Sequence, residues 1–196
     1  MIHVWYLGYG SNLHEQRFLC YIKGGIPQYG KICNKGCTDK TSPMEDRAMT
    51  ISYPLYFALP NGETGTRNWG AGGVAFINPQ EDKRSKTLCR MWKITEGQYL
   101  EVKQQEGVRW YNKEICLGDV DGIPIFTITH DSVLTNVVRP SDTYVRTIAA
   151  GLTETYQFSG EQTVDYLLDK AGIRNAIEKE YLRKAAVLSV SGRTTA

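Results

Sequence analysis

The chain has 196 residues, of which 41% are hydrophobic and 22% are charged, and its formal net charge is +2. This length and apolar content predict a single globular domain with a buried core. Because positive and negative residues are interspersed, the charge pattern excludes a strongly basic surface for nucleic acid or membrane, and small polar ligands are the expected partners. No stretch is long enough to cross a bilayer and no signal-peptide pattern opens the sequence, so we expect a cytoplasmic protein.

The first predicted elements are a strand at residues 4–7 and a helix at residues 13–22, joined by the turn Gly-Tyr-Gly-Ser-Asn. Asn12 and Glu15 match a capping box at the start of this helix. Residues 23–49 are rich in Gly, Pro, Lys and Asp without a sustained period, which predicts a long surface excursion.

The rest of the chain mixes strand and helix signals. Apolar runs between turn-rich segments predict strands at residues 50–59, 73–77, 87–94, 114–118 and 123–129. Capping and stop signals predict helices at residues 96–106, 141–156, 160–171 and 175–188. The sequence therefore predicts one α+β domain over residues 1–188, followed by a tail of residues 189–196 that we expect to be disordered.

The five cysteines are odd in number and scattered, which favours reduced thiols over a disulfide framework. Cys33 and Cys37 have the spacing of half a metal site, but the three histidines stand alone and supply no further ligands. The pattern therefore favours incidental thiols over a zinc site.

The turn after the first strand is a candidate anion site. The backbone N–H groups of Gly10, Ser11, Asn12 and Leu13 lack intrahelical partners there, and the helix dipole adds partial positive charge. The side chains of Ser11 and Asn12 are also able to bond a ligand. The alternative left open is that Asn12 only caps the helix and Gly10 only forms the turn.

The predicted helix at residues 96–106 places Tyr99, Val102 and Glu106 on one face. A carboxyl group on this apolar stripe, near the negative end of its helix, is expected to have a raised pKa, which suits proton transfer. The alternative is a frayed helix end with Glu106 in solvent. On the helix that opens at Ser141, Tyr144 is either a core aromatic residue or a hydroxyl aimed into a pocket.

Four segments in the same order resemble the γ-glutamylcyclotransferase family. They are Tyr-Gly-Ser-Asn-Leu at residues 9–13, Trp-Gly-Ala-Gly-Gly-Val-Ala-Phe at residues 69–76, Trp92 and Lys93 followed by Gln-Glu-Gly-Val at residues 105–108, and the spaced residues Pro140, Ser141, Tyr144, Ile148 and Gly151. Together they extend over roughly three quarters of the chain, and four motifs in one order are a much more specific signal than any one of them.

The resemblance implies a mixed β-barrel, closed or nearly closed, with flanking helices; the helices after residue 160 are an extension without an obvious counterpart. It also implies release of 5-oxoproline from a small γ-glutamyl compound by attack of the α-amine on the γ-carbonyl, for which no metal or organic cofactor is required. Glu106 would be the general acid/base. The residues expected to bind the substrate are Tyr9, Gly10, Ser11, Asn12 and Leu13, with Tyr111 and Tyr144 as further candidates.

The chain also departs from the family. The usual acidic residues before the catalytic glutamate are replaced by Val-Lys-Gln at residues 102–104, and the excursion at residues 23–49 has no obvious counterpart. The turn sequence argues against the branch with threonine after the glycine, associated with γ-glutamylamines, and against the glutathione-specific branch with leucine after the serine.

Two other functional hypotheses stay open. One is a non-catalytic module that binds or senses an acidic metabolite in the same cavity. The other is a hydrolase that depends on Cys20 or Cys116. Self-association as a homodimer is compatible with the sequence.

Overall fold

A computed structural model describes residues 2–173 and 179–190 of the chain, and for residues 185–190 it describes the helical backbone alone. The described strands are β1 (His3–Gly8), β2 (Glu45–Ile51), β3 (Leu55–Ala58), β4 (Gly65–Thr66), β5 (Gly70–Ala71), β6 (Val74–Ile77), β7 (Thr87–Thr95), β8 (Lys113–Val120) and β9 (Ile123–Thr129). The described α-helices are α1 (Glu15–Lys23), α2 (Glu96–Glu106), α3 (Asp142–Tyr156), α4 (Gly160–Leu168) and α5 (Lys179–Val190), and a 3₁₀ turn at Ser11–Leu13 precedes α1.

A five-stranded sheet in the order β2-β7-β1-β9-β8 forms the centre of the molecule. Strand β1 is antiparallel to β7 and parallel to β9, and β8 and β9 form the predicted hairpin. Two further two-stranded sheets pair β3 with β6 and β4 with β5. The α+β class with flanking helices is confirmed, and the described strands form open sheets and no closed barrel.

Helices and loops cover both faces of the central sheet, and β1 shows this directly. Trp5 and Leu7 belong to a large core shared with α3 and α4, whereas Val4 and Tyr6 belong to a second core shared with α1 and α2. Successive side chains of a strand point to opposite faces, so a strand covered on both faces is apolar along its whole length. The face with Tyr6 is the one on which α2 ends.

Side chains satisfy the edge of β6 that faces away from β3. Thr129 Oγ accepts the N–H of Ile77 at 3.2 Å and donates to its carbonyl at 2.6 Å. Two residues earlier in β6, the N–H of Ala75 donates to Tyr144 Oη at 3.1 Å, and Tyr111 Oη donates to the Ala75 carbonyl at 3.1 Å. Two tyrosine hydroxyls therefore take the place of a neighbouring strand.

The start of α1 differs from the prediction. The N-cap residue is His14, whose side chain makes no capping hydrogen bond, and the N–H of Glu15 donates instead to Glu154 Oε2 at 2.9 Å. The predicted capping box of Asn12 and Glu15 is wrong because the Asn12 amide donates instead to side chains on β1 and α2.

The strand predicted at residues 50–59 is two strands, β2 and β3, with a break at residues 52–54. Strand β2 begins at Glu45, so the excursion without helix or strand is residues 24–44. Exposed and half-buried residues alternate in β2, and its charged first residues concealed the strand signal. Residues 174–178 and 191–196, which include the start of the last predicted helix and most of the predicted tail, lie outside the described residues; Ser189 and Val190 end α5.

Candidate active site

The turn after β1 is tightly packed, and this explains its two glycines. A Cβ on Gly8 would lie 2.7 Å from Asn12 Cβ, and a Cβ on Gly10 would lie 2.9 Å from Tyr144 Oη and 2.8 Å from Ala75 Cβ. All three distances are too short for a side chain, so the sequence Gly-Tyr-Gly lets the chain pass close to α3 and β6. Ser11 and Asn12 are consequently buried beside a tyrosine hydroxyl.

Hydrogen bonds within and around the turn fix its shape. The N–H of Leu13 donates to the Gly10 carbonyl at 3.1 Å, and the indole N–H of Trp92 donates to the Asn12 carbonyl at 2.9 Å. The side chain of Leu13 is fully buried in the large core. Leu13 is thus the one predicted binding residue that does not line the small cavity beside the turn, which is described below.

Local signals at both ends of α2 fix the position of Glu106. Thr95 and Gln98 form the predicted capping box, with reciprocal hydrogen bonds of 3.1 Å. Gly107 ends the helix with a φ of 89°, a conformation that glycine adopts without strain. Tyr99 and Val102 are buried, and Glu106, on the same face, is half-buried at the edge of the second core.

Three side chains donate hydrogen bonds to the Glu106 carboxylate. Oε1 accepts from Asn12 Nδ2 at 2.5 Å and from Tyr6 Oη at 3.3 Å, and Oε2 accepts from Tyr21 Oη at 2.8 Å. Asn12 Nδ2 also donates to Tyr6 Oη at 2.9 Å. Hydrogen bonds to a charged acceptor are among the stronger ones in proteins, so this network holds the carboxylate in one orientation.

The carbonyl oxygen of the Asn12 side chain has no hydrogen-bond partner in the described part of the chain, although Asn12 is only 6% exposed. A buried acceptor without a partner is costly. Because Asn12 lines the cavity next to Glu106, this oxygen is available to a donor on a bound ligand.

Five tyrosine hydroxyls surround the carboxylate and the turn. Burial raises the pKa of each of these phenols, and the negative charge of Glu106 raises the pKa further. They therefore stay protonated at neutral pH and act as hydrogen-bond donors and acceptors, never as bases. These residues are Tyr6, Tyr9, Tyr21, Tyr111 and Tyr144.

The site consists of a small inner cavity and a larger outer pocket. The inner cavity has a volume of about 30 Å³, room for one or two water molecules, and the predicted residues Tyr9, Gly10, Ser11 and Asn12 line it. The outer pocket has a volume of about 530 Å³, in the range of small-molecule sites. Four residues line both spaces: Ser11, Glu106, Tyr111 and Tyr144.

The outer pocket is built largely from residues that the sequence did not single out. Arg17 and Tyr21 of α1 form one side, and the excursion and the β4–β5 hairpin form the rim. Asn68 Oδ1 joins these two loops by accepting the N–H groups of Lys31 and Ile32 at 2.9 and 3.0 Å. A helical spacing of four between Arg17 and Tyr21 was the one signal that could have indicated this pair.

The remaining candidates lie elsewhere. Cys20 is buried and burial raises the pKa of its thiol, which disfavours the nucleophilic thiolate, while Cys116 is exposed on β8. Among the residues that the structure describes, no group of three or more His, Cys, Asp and Glu side chains is placed to hold a metal ion. No described helix combines the length and the apolar character needed to cross a membrane.

Known proteins resemble this chain in sequence and in fold. No protein-family model matches it. Histone deacetylase 5 from Arabidopsis thaliana is 31% identical over 211 residues, which cover 87% of this chain; the chain spans only 31% of that protein's length.

Solved structures match nearly the whole chain. A gamma-glutamyl cyclotransferase matches with a TM-score of 0.57 and 19% identity, over 93% of this chain and 98% of that one. An uncharacterized protein from Homo sapiens matches with a TM-score of 0.58 and 17% identity, over 94% of this chain and 99% of that one. The chain therefore has the fold of a gamma-glutamyl cyclotransferase.

Proposed function

We propose that this chain is a γ-glutamylcyclotransferase that releases 5-oxoproline and a free amine or amino acid from a small γ-glutamyl compound, with Glu106 as general acid/base. The observation that carries the proposal is the Glu106 carboxylate, which three side-chain donors orient beside the Tyr-Gly-Ser-Asn turn. The carboxylate lies where the inner cavity meets the outer pocket. The fold shared with a gamma-glutamyl cyclotransferase supports the same reaction class.

One carboxylate is sufficient for the proton transfers of this reaction. The α-ammonium of the substrate must lose a proton before its nitrogen attacks the γ-carbonyl carbon, and the leaving nitrogen must gain one before the old C–N bond breaks. No water is consumed. Two protons leave the attacking nitrogen and both end on the departing amine, so Glu106 returns to its starting state after each turnover.

The turn supplies the binding groups in this proposal. Asn12 Oδ1 accepts from the substrate α-amine, next to the carboxylate that takes its proton. The backbone N–H of Asn12 would donate to the α-carboxylate or to the oxyanion that forms on the γ-carbonyl. The hydroxyls of Tyr111 and Tyr144 limit the space, so the glutamyl chain folds into a conformation close to the five-membered ring.

The sizes of the two spaces suggest how the substrate lies. The inner cavity is too small for a glutamyl group, so that group would lie at the junction lined by Ser11, Glu106, Tyr111 and Tyr144. The leaving amine would then extend into the outer pocket. Its identity, a cytoplasmic location and the absence of a cofactor stay predictions.

The test is 5-oxoproline release, measured by mass spectrometry, from a panel of γ-glutamyl amino acids, γ-glutamyl amines and glutathione. Glu106→Gln keeps the shape of the side chain but removes the base, so we expect at least a ~100-fold loss of kcat, the lower range for general acid–base catalysis. Glu96→Gln, on the exposed first turn of the same helix, is the matched control and should keep full activity.

Two outcomes would contradict the proposal. Retained turnover in the Glu106→Gln variant would remove Glu106 from the mechanism. Binding of glutamyl compounds by the folded wild-type protein without turnover of any panel member would favour the alternative, a module that binds or senses an acidic metabolite. The half-buried, hydrogen-bonded Glu106 supports the enzyme over this module, because a receptor needs no base so placed.

A further inference from the structure

Arg17 is a buried cation with an unusual set of partners. Its residue is 5% exposed, it lines the outer pocket, and within the described residues its side chain makes no ion pair with a carboxylate. A buried charge without a counter-ion is expensive, so its surroundings must compensate. The guanidinium stacks 4.0 Å from the centre of the Tyr21 ring and donates to Asn34 Oδ1 at 3.2 Å.

Arg17 also lies 5.6 Å from the centre of the Trp69 ring, and a further contact leads to the candidate base. Arg17 donates a hydrogen bond to the phenol oxygen of Tyr21, and Tyr21 Oη donates to Glu106 Oε2 at 2.8 Å. A phenol has a single proton. Because the guanidinium donates to the oxygen of Tyr21, the hydroxyl proton of Tyr21 points toward Glu106. Tyr21 is therefore always the donor and Glu106 Oε2 always the acceptor in the hydrogen bond between the two residues.

This chain of donors makes the two carboxylate oxygens of Glu106 different. Oε1 accepts two hydrogen bonds, from Asn12 and Tyr6, whereas Oε2 accepts one, from Tyr21. Each oxygen of an ionised carboxylate has room for about two donors. Oε2 therefore keeps an open position for a proton from the substrate, and Tyr21 sets the direction of that position.

We propose that Arg17 is a positioning residue that acts on Glu106 through Tyr21, and that Oε2 is the oxygen that exchanges the proton with the substrate. The inference rests on the proposed role of Glu106 and deepens it. Neighbouring contacts strengthen the link between α1 and α2: Gln105 Nε2 donates to the Tyr21 carbonyl at 3.0 Å, so the residue before Glu106 is tied to the same tyrosine.

The experiment is a double-mutant cycle with full steady-state kinetics on the best substrate of the panel. We expect Arg17→Met and Tyr21→Phe each to lower kcat by about 10- to 100-fold while KM changes less than about threefold, since both remove an interaction that matters for proton transfer. The double variant should be no slower than the slower single variant, because both changes break one chain of hydrogen bonds.

Variants of matched shape separate positioning from packing. Methionine resembles arginine in length but lacks charge and donors, so normal kcat in Arg17→Met would overturn the proposal. Arg17→Lys keeps a cation and donors, and we expect it to recover at least tenfold of the kcat lost in Arg17→Met; equal activity of the two variants would also overturn it. Arg139→Met, which removes another arginine that stacks on a tyrosine, is the control for the substitution itself.

The same data distinguish this inference from the function on which it rests. No wild-type turnover, or full turnover by Glu106→Gln, rejects both. If the wild type is active, additive kcat effects reject only the positioning role. A raised KM in Arg17→Met with little change in kcat also rejects it and assigns Arg17 to direct contact with the substrate. Thermal unfolding of each variant confirms that the folded protein is compared, and Tyr21→Phe with Arg17→Lys gives a second cycle if Arg17→Met does not fold.

Discussion

At the scale of single residues, the site depends on very short distances between the turn, β6 and α3. The turn passes β6 at Gly10, which lies next to Tyr144 and Ala75. Tyr144 Oη accepts the Ala75 N–H, and a Cβ on Gly10 would lie only 2.9 Å from this hydroxyl oxygen. Asn12 is held at similarly short distances, since its amide donates hydrogen bonds to both Tyr6 and Glu106. Gly10 and Asn12 therefore serve both the packing of the turn and the geometry of the candidate site.

Gly10→Ala tests this packing. The added methyl group would lie within 3 Å of Tyr144 Oη and Ala75 Cβ, so we expect a loss of about 1–3 kcal/mol in the free energy of unfolding and a lower kcat/KM. The matched control is Gly97→Ala in α2, where the nearest atom to an added Cβ is 3.9 Å away and alanine should stabilise the helix by up to ~1 kcal/mol. Urea denaturation of both variants measures these opposite changes, and destabilisation by both would show that the clash is not the cause.

At the scale of elements, the essential helix is α2, because it begins at a capping box and ends at Glu106. The N-cap residue Thr95 is eleven positions from Glu106 along the chain and lies at the opposite end of the helix. The cap therefore contributes to the stability of the helix and not to the chemistry.

Thr95→Ala separates these two roles. Loss of the Thr95 hydroxyl leaves the Gln98 N–H without its acceptor, and we expect the free energy of unfolding to fall by about 1 kcal/mol while kcat stays within about twofold of wild type well below the melting temperature. Ser159→Ala removes the equivalent capping box of α4 and is the control for a helix outside the site. A large drop in kcat for Thr95→Ala alone would mean that the helix start also positions Glu106.

Local signals explain how much could be predicted at this scale. The first strand, α2, the β8–β9 hairpin and the position of Glu106 on the face of Tyr99 and Val102 were all predictable, because capping boxes, stop glycines and periodicity act over a few residues. Whether Glu106 is buried or in solvent was left open by the sequence. The cap of α1 was predicted wrongly, since a tertiary contact over 94 positions competes for the Asn12 amide. Tyr21 was missed because its partner Glu106 on α2 is 85 positions away, and Arg17 was missed because part of its environment, Asn34, lies on the irregular excursion.

At the scale of the whole molecule, the cleft beside Glu106 is lined with buried phenols. Burial and the charge of Glu106 raise the pKa of Tyr6, Tyr9, Tyr21, Tyr111 and Tyr144 above the ordinary value of 10.0. Burial also raises the pKa of the Cys37 and Cys89 thiols, that of Cys37 to about 11. In the folded protein these phenols and thiols thus keep their protons at a pH where the same groups in the unfolded chain have begun to lose them.

This difference predicts a loss of stability in alkali. Above the unfolded tyrosine pKa, near 10, the unfolded chain binds fewer protons than the folded one, so the free energy of unfolding must fall as the pH rises. Each such tyrosine contributes a slope of up to about 1.4 kcal/mol per pH unit until its own folded pKa is reached, and several act together. Below pH 9 these phenols should leave stability unchanged.

Urea denaturation between pH 8 and 11 measures the free energy of unfolding, and tyrosinate absorbance recorded on the same samples measures the ionisation of the tyrosines. We expect most of the tyrosinate signal of the site to appear only as the protein unfolds. Gradual ionisation of the site tyrosines in a fully folded protein at pH 10 would show instead that solvent reaches them, and that the cleft is more open than its packing indicates.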